Sequence, residues 1–259
     1  MNAFLRMSWP PAVAFAVAVA LWEGATRLLA VPAWLLPPPS EIAQAGMRDS
    51  AALLQAALTT GQAALAGFFL SAALGVLVAI VLAASRPLER ALYPYAIFLQ
   101  TVPIVAIAPL LVLWFGPGFR AVTVSAFIVS VFPVIANTLT GLRSVDPALR
   151  DLFRLYGARR LAMLRKLELP SALPHLATGL RIASGLSVIG AIVGEFVAGF
   201  SEGSPGLGIL VLSAYRQLRT SLLFAAVLMA AGLGLALFGA VGFAGSRMLR
   251  RWHPSEKAP

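Results

Sequence analysis

Apolar residues run along this chain in long stretches, and charged ones gather in short islands between them. Stretches of this kind predict membrane-crossing helices, each of which needs about 20 largely apolar residues. The pattern predicts six spans: Pro11 to about Ala30, Gly61 to Ala84, Ala91 to Phe115, Ala121 to Leu142, Ala177 to Phe200 and Ser221 to Ser246. Residues 31–60 are mixed. There the stiff Pro37-Pro38-Pro39 precedes Ser40, placed to cap a short helix containing Glu41, and the segment reads as external, along the membrane surface. Ser85-Arg86-Pro87 ends the second span, and Gly116-Pro117-Gly118 turns the chain after the third. The loop Ser201–Gly208 leads into a short external helix at Ile209–Arg219, with Arg216 and Arg219 as solvated charges. Pro94, Pro103 and Pro109 make the third span either a kinked packing helix or a broken one that faces a cavity. Gly61, Gly67 and Gly75 suit close helix packing in the second. The expected fold class is all-α: a polytopic membrane protein of about six transmembrane helices, one domain over residues 1–259.

The most polar island runs from Arg143 to Pro174, with seven cations between Arg143 and Lys166. Asp146 can cap a helix whose first position is Pro147, where a missing N–H costs nothing. Leu149, Leu152, Phe153 and Tyr156 recur at helical spacing on one face, and Gly157 stands where that helix stops. A second helix is expected from Arg159 to Leu167, with Leu169-Pro170 and Pro174 punctuating its end. An apolar face on a polar loop can lie on the membrane surface or fill a groove on a partner protein, and the pattern alone admits both.

Composition narrows the class. Hydrophobic residues make up 59% of the chain and charged ones 12%, too few for a soluble surface of this size. The absence of cysteine excludes disulfides and thiolate chemistry, and two histidines, His175 and His253, are too few for a histidine-rich metal site. The net charge of +10 reads as loops facing anionic lipid, with no nucleic-acid partner expected. With both termini and the island inside, fourteen of the twenty cations fall on the inner side and five on the outer. The positive-inside rule therefore favours cytoplasmic termini. No small-x-small cleavage site follows the first apolar run, so no signal peptide is expected. There is no GxxxxGK[ST] or HExxH motif.

The island resembles the cytoplasmic "EAA" loop of ABC importer permeases. Gly157, Leu167, Leu169 and Pro170 match its spacing, Asp151 stands at the Glu position, and Leu152 and Phe153 replace the two alanines. LLPPPSEI at 35–42, VPIVAIAPLLVLWFG at 102–116, FPVIANTLTGLRSVDP at 132–147 and GLRIASGLSVIGAIVGEF at 179–196 resemble the nitrate/taurine/sulfonate-type permease group, over most of the chain from Trp22 to Trp252. Within that group VAIAPLLVLWFG and GAIVGEF are more similar to the thiamine-precursor and riboflavin branch. The resemblance implies a type I importer permease (MetI-like) fold in a bacterial inner membrane. It implies two permease subunits, as a homodimer or as a heterodimer with a related permease, two ATPase subunits that carry ATP and Mg on their own chains, and an external substrate-binding protein. No cofactor is expected on this chain. The loop at 143–174 would dock into the ATPase through Asp151, Leu152, Phe153, Tyr156, Gly157, Leu167 and Pro170.

Glu195, Gln100 and Asn137 are the candidate pathway residues for a small organic solute. A carboxylate inside a span needs a partner or a function, so Glu195 is either a structural acid or a pathway contact. Gly190, Gly194 and Gly199 make one side of its helix small. Arg181 can snorkel to the inner boundary. A membrane enzyme acting on lipid would need clustered acids, histidines or serines, whereas the acids here are scattered; a non-transporting scaffold is the third reading.

Overall fold

The structure is a computed structural model that describes residues 3–198 and 205–249. All its regular elements are helices: α1 (Ala3–Leu28), α2 (Pro39–Arg48), α3 (Ser50–Ala84), α4 (Arg86–Thr101), α5 (Ile104–Phe115), α6 (Phe119–Arg143), α7 (Pro147–Leu155), α8 (Arg160–Met163), α9 (Leu169–Ala198), α10 (Leu207–Arg216) and α11 (Thr220–Leu249). A π-helical turn, Leu164–Glu168, joins α8 to α9.

Among the described residues, four helices are long and apolar enough to cross a membrane, and five if the bent pair α4–α5 counts as one span. α1 is a helix of 26 residues that reaches the rest through α2 and through Trp22, whose ring lies 5.9 Å from that of Phe224 on α11. The side chain of Arg6 and the residues Gly199, Arg250, Arg251 and Trp252 lie outside the described residues.

α6 is the axis of the bundle, gripped by α3 on one side and α9 on the other. The grip depends on missing side chains. A Cβ on Gly67 of α3 would lie 2.5 Å from Ala126 Cβ, and one on Gly190 of α9 would lie 2.8 Å from Ala126 Cα. Backbones this close bring buried hydroxyls together. Ser71 and Ser130 share a 2.6 Å hydrogen bond, and Ser125 Oγ donates to the Gly190 carbonyl at 2.7 Å.

Several expectations change. α3 begins at Ser50 and not near Gly61, taking much of the mixed segment into the second span. Ser40 does not cap α2: Pro38 occupies that position and Pro39 opens the helix. Ser40 instead donates its N–H and Oγ–H to Glu23 at 3.0 and 2.8 Å, and Arg27 closes on the same carboxylate at 2.6 Å. The third span is broken at Val102-Pro103 with a 97° bend, whereas Pro94 and Pro109 stay within their helices. Leu169-Pro170 and Pro174 do not end the second loop helix, because Arg160–Ala198 is one continuous apolar helix. The π turn gives the reason. Leu169 N–H bonds five residues back to Leu164, and a turn widened ahead of Pro170 relieves the clash of its ring with the carbonyl four back. Arg219 is not simply solvated: it pairs with Asp49 at 2.8 Å.

Candidate coupling loop and solute pathway

The loop is built as its local chemistry dictates. The Asp146 carboxylate accepts the Ala148 N–H at 2.8 Å, and Pro147 opens α7. Gly157 has φ of +69°, the left-handed conformation that ends a helix. Around it Gly157 N–H bonds to Arg154 and Ala158 N–H to Phe153, both at 2.9 Å, the paired bonds of a Schellman stop.

The apolar residues of α7 divide between two faces. Phe153 turns inward against Val145, Met163 and Leu167. Leu149, Leu152, Leu155 and Tyr156 are exposed, the last two at 85% and 84%, and Leu161 on α8 is exposed as well. Of the residues read as docking contacts, Leu152 and Tyr156 therefore face outward, whereas Phe153 and Leu167 form the loop's own small core. Asp151 is exposed and, among the described residues, pairs only with Arg154, three residues on, at 3.2 Å. Pro170 lies half-buried at the entry to α9.

Arginines fasten this unit to the spans. Arg150 Nη2 donates to the Leu142 carbonyl at the end of α6 at 2.7 Å, and sits 3.5 Å from the buried Glu168 carboxylate in the π turn. Arg160 Nη2 donates to the Ala83 and Ala84 carbonyls, the last of α3, at 3.1 and 3.2 Å. Arg143 pairs with Glu89 on α4. Helix ends leave carbonyls without partners, and guanidinium groups fill that need here. Sequence reading took these cations as topology signals and passed over Glu168. No local pattern marks them, since Arg160 and Ala83 are 77 residues apart.

The candidate pathway residues are not brought together. Gln100 lines a cavity of about 330 Å³ at the α4–α5 break, with Thr101, Pro103, Val129, Pro133 and Leu186 among its neighbours and no charged side chain in the wall. Asn137 gives its amide to the Pro133 carbonyl at 2.9 Å and packs against Gly179 between α6 and α9. Glu195 is 3% exposed and lies under the start of α10. Its Oε1 accepts from Thr60 Oγ1 and its Oε2 from Gly208 N–H, both at 2.7 Å, while Thr60 in turn accepts the Leu207 N–H at 2.8 Å. This arrangement caps α10 and ties it to α3 and α9. Arg181 is held over the Phe238 ring at 4.2 Å.

Comparison with known proteins agrees with this architecture. Residues 71–251 match the family "Binding-protein-dependent transport system inner membrane component". A "Probable ABC transporter permease protein" of Haemophilus influenzae is 36% identical over 228 residues, covering 88% of this chain and 91% of that protein. The riboflavin transport system permease protein RibX of Chloroflexus aurantiacus is 36% identical, covering 96% and 93%. The formylaminopyrimidine transport permease protein ThiX of Halalkalibacterium halodurans is 34% identical, covering 92% of each. Among solved structures, an inward-facing MetNI methionine ABC transporter aligns with a TM-score of 0.65 at 21% identity, over 78% of this chain and 96% of that one, a likeness of fold. The sequence family, the helical bundle and its arginine-fastened loop together place this chain among the binding-protein-dependent inner-membrane components, as a permease subunit of an ABC importer.

Proposed function

We propose that the chain is half of a homodimeric pathway and that its loop, residues 143–174, is the dock for a cytoplasmic ATPase. The observation that carries this is the exposed crest Leu149, Leu152, Leu155 and Tyr156, on a loop fastened by arginines to α3 and α6. Apolar side chains in such a position need a groove to enter. ATP and Mg belong to the ATPase chain. Closing of the ATPase dimer drags the crest, and the fastened spans rock between inward- and outward-open arrangements. The termini and the loop lie on the cytoplasmic side, the orientation that the cation asymmetry favours, and α1 is the sixth span.

We further propose an uncharged heteroaromatic solute. The cavity at the α4–α5 break has no cation with which to hold an anion, and relatives at 36% and 34% identity are named for riboflavin and formylaminopyrimidine. The test is reconstitution with the ATPase and the binding protein, using Leu152→Asp. ATPase association and uptake should fall together while insertion stays normal, because the new charge is buried unpaired in the groove. Unchanged association would sink the docking assignment. Competition for uptake by pyrimidines and flavins, set against sulfonates and nitrate, decides the solute class.

A further inference from the structure

At the loop-bearing end of the bundle, Arg86, Arg90, Glu89 and Arg143 enclose a cavity of about 260 Å³. It sits where the apolar runs stop: α3 ends at Ala84, α6 ends at Arg143, and α4 starts at Arg86. Its charges do not balance. Glu89 is taken by Arg143, and among the described residues neither Arg86 nor Arg90 has an acceptor. Arg143 Nε is shielded from solvent and also lacks an acceptor, a costly state for a donor. The cavity therefore offers donors from three side chains, with one carboxylate already used.

We propose that this cavity binds the phosphate of an anionic phospholipid. Guanidinium groups suit phosphate because their donors are fixed in a plane that matches its oxygens. The surroundings point to a lipid as the source. From Ala91 to Phe119 the chain carries no charged side chain, and α4 buries none of its residues. Leu92, Tyr95, Phe98 and Leu99 are exposed beyond the arginines. A basic end followed by a bare apolar helix matches a molecule with an anionic head and an acyl tail. Basic pockets at the ends of spans are recurrent sites for such headgroups.

The experiment uses the full-length chain in nanodiscs of phosphatidylcholine doped with phosphatidylglycerol, followed by native mass spectrometry of the lipid that stays bound. Wild type should retain phosphatidylglycerol over phosphatidylcholine, and Arg86→Ala/Arg90→Ala should lower that preference by roughly 30-fold. Arg165→Ala/Lys166→Ala, a change at exposed cations outside the cavity, should retain the lipid as wild type does. Equal retention of the two lipids by wild type, or undiminished retention by Arg86→Ala/Arg90→Ala, overturns the proposal. Displacement by millimolar inorganic phosphate would keep the phosphate chemistry but overturn the lipid as its source. Dissociation of a dimer by Arg86→Ala/Arg90→Ala with lipid content unchanged would assign the cavity to a second copy and also overturn it.

Discussion

Glu195 shows how much one side chain can carry. A carboxylate within an apolar helix is expensive unless its lone pairs are used, and here they are met by Thr60 and by the Gly208 N–H. Removing it leaves two donors buried. Glu195→Ala is expected to cost about 2–6 kcal/mol of stability by this count. Glu195→Gln keeps an acceptor for the Gly208 N–H and turns the other oxygen into an amide donor facing the Thr60 hydroxyl, which loses its own acceptor, so it should lie between Ala and wild type. Thermal unfolding of the purified protein would rank them, and a Gln variant of wild-type stability without uptake would move Glu195 to the pathway. Thr60→Val removes the other half of the same cap, so its effect with Glu195→Gln should be less than additive. Gly206 is a sharper probe. A methyl there would overlap the Glu195 carboxylate, so Gly206→Ala should displace the start of α10 and lower the melting temperature.

Among the elements, the residues of the loop divide by the direction they face. Leu152→Asp and Phe153→Ala should therefore fail differently. The first acts on an exposed crest and should leave melting unchanged while weakening ATPase association. The second opens the small core of Val145, Met163 and Leu167 and should cost about 2 kcal/mol or more. Arg160→Ala should leave binding of the ATPase intact but lower the solute moved per ATP, since the carbonyls of Ala83 and Ala84 lose the donor that ties α3 to the loop. Arg165→Ala, at an exposed cation, is the matched control. If both arginine variants couple as wild type, the fastening is not part of the stroke. Gly157→Val should also damage the loop. Open space surrounds Gly157, so the penalty comes from backbone strain at φ of +69° and not from a clash.

For the whole molecule, orientation and stoichiometry are the quantities to measure. The chain has no cysteine, so Ser144→Cys is a single clean reporter. Ser144→Cys should react with impermeant maleimide only after the inner face is opened, and labelling in intact cells would reverse the topology. Native mass spectrometry of the complex should find two copies of the chain. The charge pattern alone predicts the side on which the loop lies, because charged loops resist transfer across the bilayer whatever the helices later do.

The features legible in the sequence are those fixed by transfer energy or by neighbours within a few residues. Apolar length marked α6, α11 and most of α3, since a span is a property of one segment in lipid. The Asp146 cap and the Gly157 stop were readable because each acts on amides within a turn of itself. The same local logic misread Pro170, where a widened turn in the folded chain lets the helix continue. It could not divide Phe153 from Leu152, because periodicity places both on one side and only packing against Met163 and Leu167 separates them. The α3 partners of Arg160 and Glu195, Ala83 and Thr60, are 77 and 135 residues away, and their roles exist only once α3, α6 and α9 have met. Sequence determined that this chain lives in a membrane and carries a polar loop with an apolar face. Tertiary structure decided which cations hold that loop and which acid holds α10, because a buried polar group takes its meaning from the partner that satisfies it.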